Sequence, residues 1–174
     1  MGPLVRGLAD ICRANGIEPT VVQTWIKRGF PILGEHDLDS SGSGSHRMVV
    51  FETAMQVSVA LAATRSGVGV RPALRIGMSF VGSGGNTFRI RRGEGGRIET
   101  DTTPREPCAI FPAPARTLMV LSRDGWAFVE ENPPGCASSL LLSAAPDLGE
   151  RMANAFTVVD LGVIWRRVAE LYGR

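Results

Sequence analysis

The segment from Glu52 to Ser66 constrains this chain more than any other. It is rich in alanine, with Val57, Val59 and Met55 as well, and carries only Glu52 and Arg65 as charges. Drawn as a helix it is apolar nearly all round, so it has little surface to offer to water and is predicted to be buried on most sides. Whatever fold the chain adopts has to sheathe that helix. Gly67 is placed to cap it, and Arg71-Pro72-Ala73-Leu74 opens a further short helix that ends before the flexible stretch Gly82 to Asn86.

Two shorter helices are expected upstream. Leu4, Leu8, Ile11 and Cys12 share one helical face, predicting an amphipathic helix that stops at the turn signal Asn15-Gly16. The second opens at Glu18-Pro19, where proline suits the first helical position because its missing N–H would be unpaired there anyway. Ile17, Val21, Val22 and Trp25 are expected on its apolar side, with Trp25 as a core anchor. Thr20, Gln23, Thr24 and Lys27 face the other way, and Arg28-Gly29 ends the helix. Phe30 to Leu33 is apolar, Gly34 to Ser45 is acidic and then rich in glycine and serine, and His46-Arg47 leads into the apolar Met48 to Phe51. That pattern predicts a β-hairpin with a long tip, a wing.

Two helices joined by a tight turn, the second with a hydrogen-bonding face, form the plan of a helix-turn-helix. The run Gly16 to Phe30 resembles the second helix of MerR-type regulators, in which Gly-Val-Ser opens the turn, an aromatic stands in the place of Trp25 and Gly-Leu closes it. His46-Arg47 before Met48 to Phe51 looks like that family's basic wing end. Gly67 to Leu74 is similar to its Gly-Phe-Ser-Leu-x-x-Ile turn between the third and fourth helices. The resemblance covers roughly residues 4 to 80. The chain departs from it at Gln23 and Thr24, where the family usually has Arg and Tyr, and at Val49, where its wing usually has an aromatic. The family's long dimerisation coiled coil and cysteine metal loop are missing after Leu74, so metal sensing is not carried over. What the resemblance implies is a reader of double-stranded DNA. Gln23 would read adenine, Thr20 and Thr24 would meet a thymine methyl or a phosphate, Lys27 and Arg28 would hold the backbone, and His46 and Arg47 would reach a flanking phosphate or the minor groove.

Bulk electrostatics lend that reading little. Net charge is +2 over the whole chain, so the argument for nucleic acid rests on where the charges sit. The three cysteines, Cys12, Cys108 and Cys136, form no CxxC pair and are odd in number, which points to a reducing compartment, and Cys12 falls on an apolar helix face. The first eight residues lack a signal-peptide core and no apolar run is long enough to span a bilayer, so a soluble cytoplasmic protein without membrane association is expected. Enzyme readings fail on inventory: both histidines fall in the wing, and no phosphate loop, nucleophile elbow or zinc spacing occurs. No cofactor is expected. Gly82 to Asn86 and the glycines from Gly93 to Gly96 lack the strand-to-helix setting of a phosphate loop and read as flexible connections.

In the second half, Thr87 to Arg92 alternates as a strand, Gly93 to Pro107 reads as a loop, and Thr117 to Ser122 and Trp126 to Glu131 read as strands around the turn Arg123-Asp124-Gly125. A strand at Ser139 to Ala144 and a helix at Asp147 to Ala155 are expected next. The last helix carries a stripe of Leu161, Ile164, Trp165, Val168, Leu171 and Tyr172, to be buried against the sheet or against a second copy of the chain in a homodimer. The fold class expected is α+β, with a DNA-binding unit at residues 1–81 and an α+β unit at 87–174 whose role as effector site, partner surface or dimerisation module stays open. The function expected is a sequence-specific transcriptional regulator of bacterial or phage type. Its alternatives are an architectural DNA-binding protein of the excisionase or small-terminase sort, and a ligand- or protein-binding module with a vestigial helix-turn-helix.

Overall fold

The computed structural model describes residues 4–32, 34–38, 47–83, 86–92, 98–122, 127–132 and 156–174. Within them the chain is α+β, with five α-helices and two sheets. The first helices are α1 (Leu8–Ala14) and α2 (Pro19–Lys27), joined through Asn15 and Gly16. The central helix, α3 (Phe51–Arg65), has 11 buried residues among its 15. It is sheathed as its composition demands, by α4 (Val70–Met78), a π-helical turn (Ser79–Ser83), α1 and the last helix, α5 (Leu161–Leu171). Packing of α3 on α4 is close. A Cβ added to Gly77 would lie 2.5 Å from the carbonyl oxygen of Gln56, so only glycine allows that approach.

The N-terminal region departs from expectation at two places. The first helix begins at Leu8 and not at Leu4, because Arg6–Gly7 forms a strand, β1, that pairs antiparallel with β2 (Met48–Val49); Leu4 is left exposed. The wing's first strand, expected at Phe30 to Leu33, does not form among its described residues: there Ile32 is buried and joins the core. The return segment is held instead by β1 and by an isolated bridge between Leu38 and Met48. Asp37 fastens the loop, accepting the Gly34 and Val50 backbone N–H groups at 2.6 and 2.8 Å. Phe51, expected as the end of a strand, is the first residue of α3.

The second sheet has the order β4-β3-β6-β5-β7, from β3 (Asn86–Arg92), β4 (Ile98–Pro104), β5 (Arg116–Ser122), β6 (Ala127–Asn132) and β7 (Phe156–Asp160). All neighbours run antiparallel except β3 and β6. The expected β5–β6 pair is present. Two strands were not expected: β4 lies in the segment read as a loop, and β7 directly precedes the last helix. The β3–β4 register sets Arg89 opposite Asp101 and Arg91 opposite Glu99. The strand expected at Ser139 to Ala144 and the helix at Asp147 to Ala155 lie outside the described residues.

One apolar core runs through both halves of the chain. Met119, Leu121 and Val129 of the sheet join Leu161, Ile164 and Val168 of α5, Tyr172 at its cap, and the buried residues of α1 and α3. The stripe on α5 is thus covered by the chain's own elements. Asp160 caps this helix, accepting the Val163 N–H, and also pairs with Arg116 at 2.8 Å. Phe51 sits edge-on to both Trp165 and Tyr172, with ring centroids 6.0 and 5.5 Å away, and the Tyr172 hydroxyl donates to the Val49 carbonyl. Arg6 donates to the Leu171 carbonyl, tying β1 to the end of α5. At the other end of the helical layer, Arg105 stacks over the Phe80 ring at 4.3 Å and donates to the Phe80, Glu106 and Ala109 carbonyls. No helix among the described residues is long and apolar enough to cross a membrane.

Candidate nucleic-acid interface

Helix α2 is short, and packing rather than propensity holds it in place. Pro19 fills its first turn, Arg28 caps it and Gly29 turns the chain away at φ +75°. Val22 and Trp25 are buried, with Ile17 and Ile26 half-buried against the same core. Val21, expected on the apolar side, is exposed instead. On a helix it stands a full turn from Trp25 but flanks Thr24 and Arg28, and the buried stripe passes through Val22, Trp25 and Ile26.

Thr20, Gln23, Thr24 and Lys27 are all exposed and follow one another at the spacing of a single helical edge, with Arg28 exposed at the cap. The edge is not chemically uniform. Thr24 donates its hydroxyl proton to the Thr20 carbonyl at 2.7 Å, so toward a ligand it offers its oxygen as an acceptor and its methyl group. The Gln23 amide and the Lys27 ammonium supply donors on the same edge. The Asp37 carboxylate is committed to the backbone N–H groups of Gly34 and Val50.

Four of the seven expected contact residues therefore share α2, with a fifth, Arg28, at its cap. Arg47 does not. It is half-buried on the approach to β2, and its carbonyl accepts the Leu8 N–H at 2.8 Å where α1 begins. His46 lies outside the described residues.

A feature not expected from the sequence adjoins this helix. A groove of about 350 Å³ opens between the end of α2 and the outer side of α4, with Arg28, Arg71 and Arg75 around it and Phe30, Leu74 and Met78 among its lining. Its signal was present in α4, where Arg71 and Arg75, and Leu74 and Met78, repeat at the four-residue spacing of one face. Reading α4 only as a short packing helix passed over that alternation of charge and apolar surface. No protein-family model matches the chain, and no curated protein or solved structure matches it either.

Proposed function

We propose that this chain is a sequence-specific DNA-binding regulator whose N-terminal region is a MerR-like winged helix-turn-helix, with α2 as the recognition helix. The observation that carries the reading is the exposed edge of Thr20, Gln23, Thr24 and Lys27, held outward by the buried Val22 and Trp25 beneath it. Its chemistry suits a major groove. An amide can pair with adenine through two hydrogen bonds, a threonine methyl can meet thymine, and Lys27 and Arg28 can bind phosphate. The element order also fits: two helices, a loop closed by the Leu38–Met48 bridge, then two further helices. A cytoplasmic location goes with this role.

With so small a net charge, non-specific attraction is weak and contacts to bases must supply most of the discrimination. The test is a mobility shift on genomic fragments at low salt. Gln23→Ala together with Lys27→Ala should weaken binding to the cognate duplex by at least about a hundredfold, one base contact and one phosphate contact being lost. Both side chains are exposed, so the fold should be unchanged by circular dichroism. Undiminished binding by the double variant refutes the assignment. Footprinting then separates the alternatives. A single protected palindrome supports the regulator, an array of sites with strong bending supports an architectural protein, and absence of protection supports a binding module. That last reading is favoured by one observation, the groove beside α4.

A further inference from the structure

The groove beside α2 has two kinds of wall. Arg28, Arg71 and Arg75 are exposed, and among the described residues none of the three guanidinium groups has a hydrogen-bond or ion-pair partner. Phe30 is half-buried, Leu74 is almost fully buried, and Met78 is 47% exposed, a large value for a methionine beside a core. Three unpaired positive charges around an apolar floor complement a ligand that carries both an anionic head and an apolar body. We propose that this groove binds a small amphiphilic anion, an apolar chain or ring bearing a carboxylate, with the head among the three arginines and the body over Phe30, Leu74 and Met78.

Size and charge favour that occupant over the two macromolecular ones. A volume of about 350 Å³ lies at the low end of small-molecule sites, which span ~300–1,000 Å³. Eight residues line the groove, whereas a protein partner recruits about 20–30 on each side. A nucleic-acid backbone presents phosphates and sugars and has no apolar body to cover the floor. The C-terminal end of α2 opposes an anion with about half a negative charge, which three full positive charges outweigh. Guanidinium groups also match a carboxylate in geometry, each offering paired donors. The site itself is independent of the DNA reading. One consequence does rest on that reading: Arg28 belongs both to the groove and to the recognition helix, so a bound anion and a duplex compete for it.

The experiment uses the free protein without DNA, so its outcome is separate from that of the mobility shift. Octanoate is titrated into the full chain and followed by amide and methyl chemical shifts, with octanol and acetate as the body and the head alone. Saturable shifts at Met78, Leu74 and Arg75 are expected with octanoate, and each partial analogue should bind at least about tenfold more weakly. Arg71→Gln with Arg75→Gln, both on the exposed face, should keep the parent spectrum and lose octanoate by a similar factor. Equal binding of octanol, shifts centred elsewhere, or an unaffected variant overturns the proposal. So does tighter binding of a short peptide alternating leucine and glutamate, which assigns the groove to a protein partner.

Discussion

Asn15 in the helical layer and Glu130 in the sheet are both buried polar side chains, and their surroundings differ. Asn15 donates to the Ile11 carbonyl at 2.9 Å and to the Ser58 hydroxyl at 2.8 Å, and Ser58 in turn donates to the Ala54 carbonyl at 2.8 Å. The chain of donors closes on the backbone. Glu130 is fully buried, receives one long contact from Asn132 at 3.4 Å, and has an oxygen without a partner among the described residues. Arg105, just after β4, is similar: three carbonyls take its terminal nitrogens, while its Nε has no partner among the described residues. A satisfied buried group stabilises, whereas an unsatisfied one costs roughly 1–3 kcal/mol. The helical layer should thus lose stability when its special residues are changed, and the sheet should gain.

The largest effect is expected at the tightest point of the helical layer. Gly77→Ala forces α3 and α4 apart and should cost about 2–3 kcal/mol in urea unfolding, while Gly82→Ala, which meets nothing within 4 Å, should stay within about 0.5 kcal/mol. Equal effects at the two glycines would show that the helices can slide. Next, Asn15→Ala removes both donors and leaves a void, for an expected loss of about 2 kcal/mol. A neutral result would mean that Ser58 and water replace it without cost.

The contrast sharpens at Glu130. Burial raises its pKa to about 7 from an ordinary 4.5, with the Asn132 hydrogen bond pulling the other way. The folded state therefore holds a proton between pH 4.5 and 7 that the unfolded state has released, so stability falls as pH rises through that window and stays low above it. Glu130→Gln cannot ionise. It should match the parent near pH 5 and exceed it by about 1–2 kcal/mol at pH 8. Parallel curves for parent and variant across that range would contradict the burial argument.

The same division marks what the sequence reveals. The helical layer was legible because its signals are periodic. Trp25 and Val22 fall on a stripe, and the composition of Glu52 to Ser66 shows its burial on most sides. The misplaced start of the first helix came from Leu4, whose spacing matches the stripe although the backbone before Leu8 is bound to β2. The sheet was less legible because polarity conceals strands. Ile98, Thr100 and Thr102 alternate with Glu99 and Asp101, a polar pattern that resembles a loop until the pairing with β3 is seen. β7 was missed because Phe156 to Asp160 is a short β-branched run between two expected helices. At the candidate interface the outward edge of α2 could be read from periodicity. Of the groove, the α4 wall could be read in the same way, but its closure could not, because it needs the end of one helix set against the side of another that is distant in sequence.

Covering α3 with α5 has a consequence for synthesis. The two helices are separated by the whole sheet, so the segment with the least tolerance for water emerges from the ribosome well before its last cover. At about 5–20 residues per second, roughly a hundred further residues take on the order of 5–20 s. Throughout that interval α3 lacks its final cover, and closure comes only when Tyr172 reaches the carbonyl of Val49.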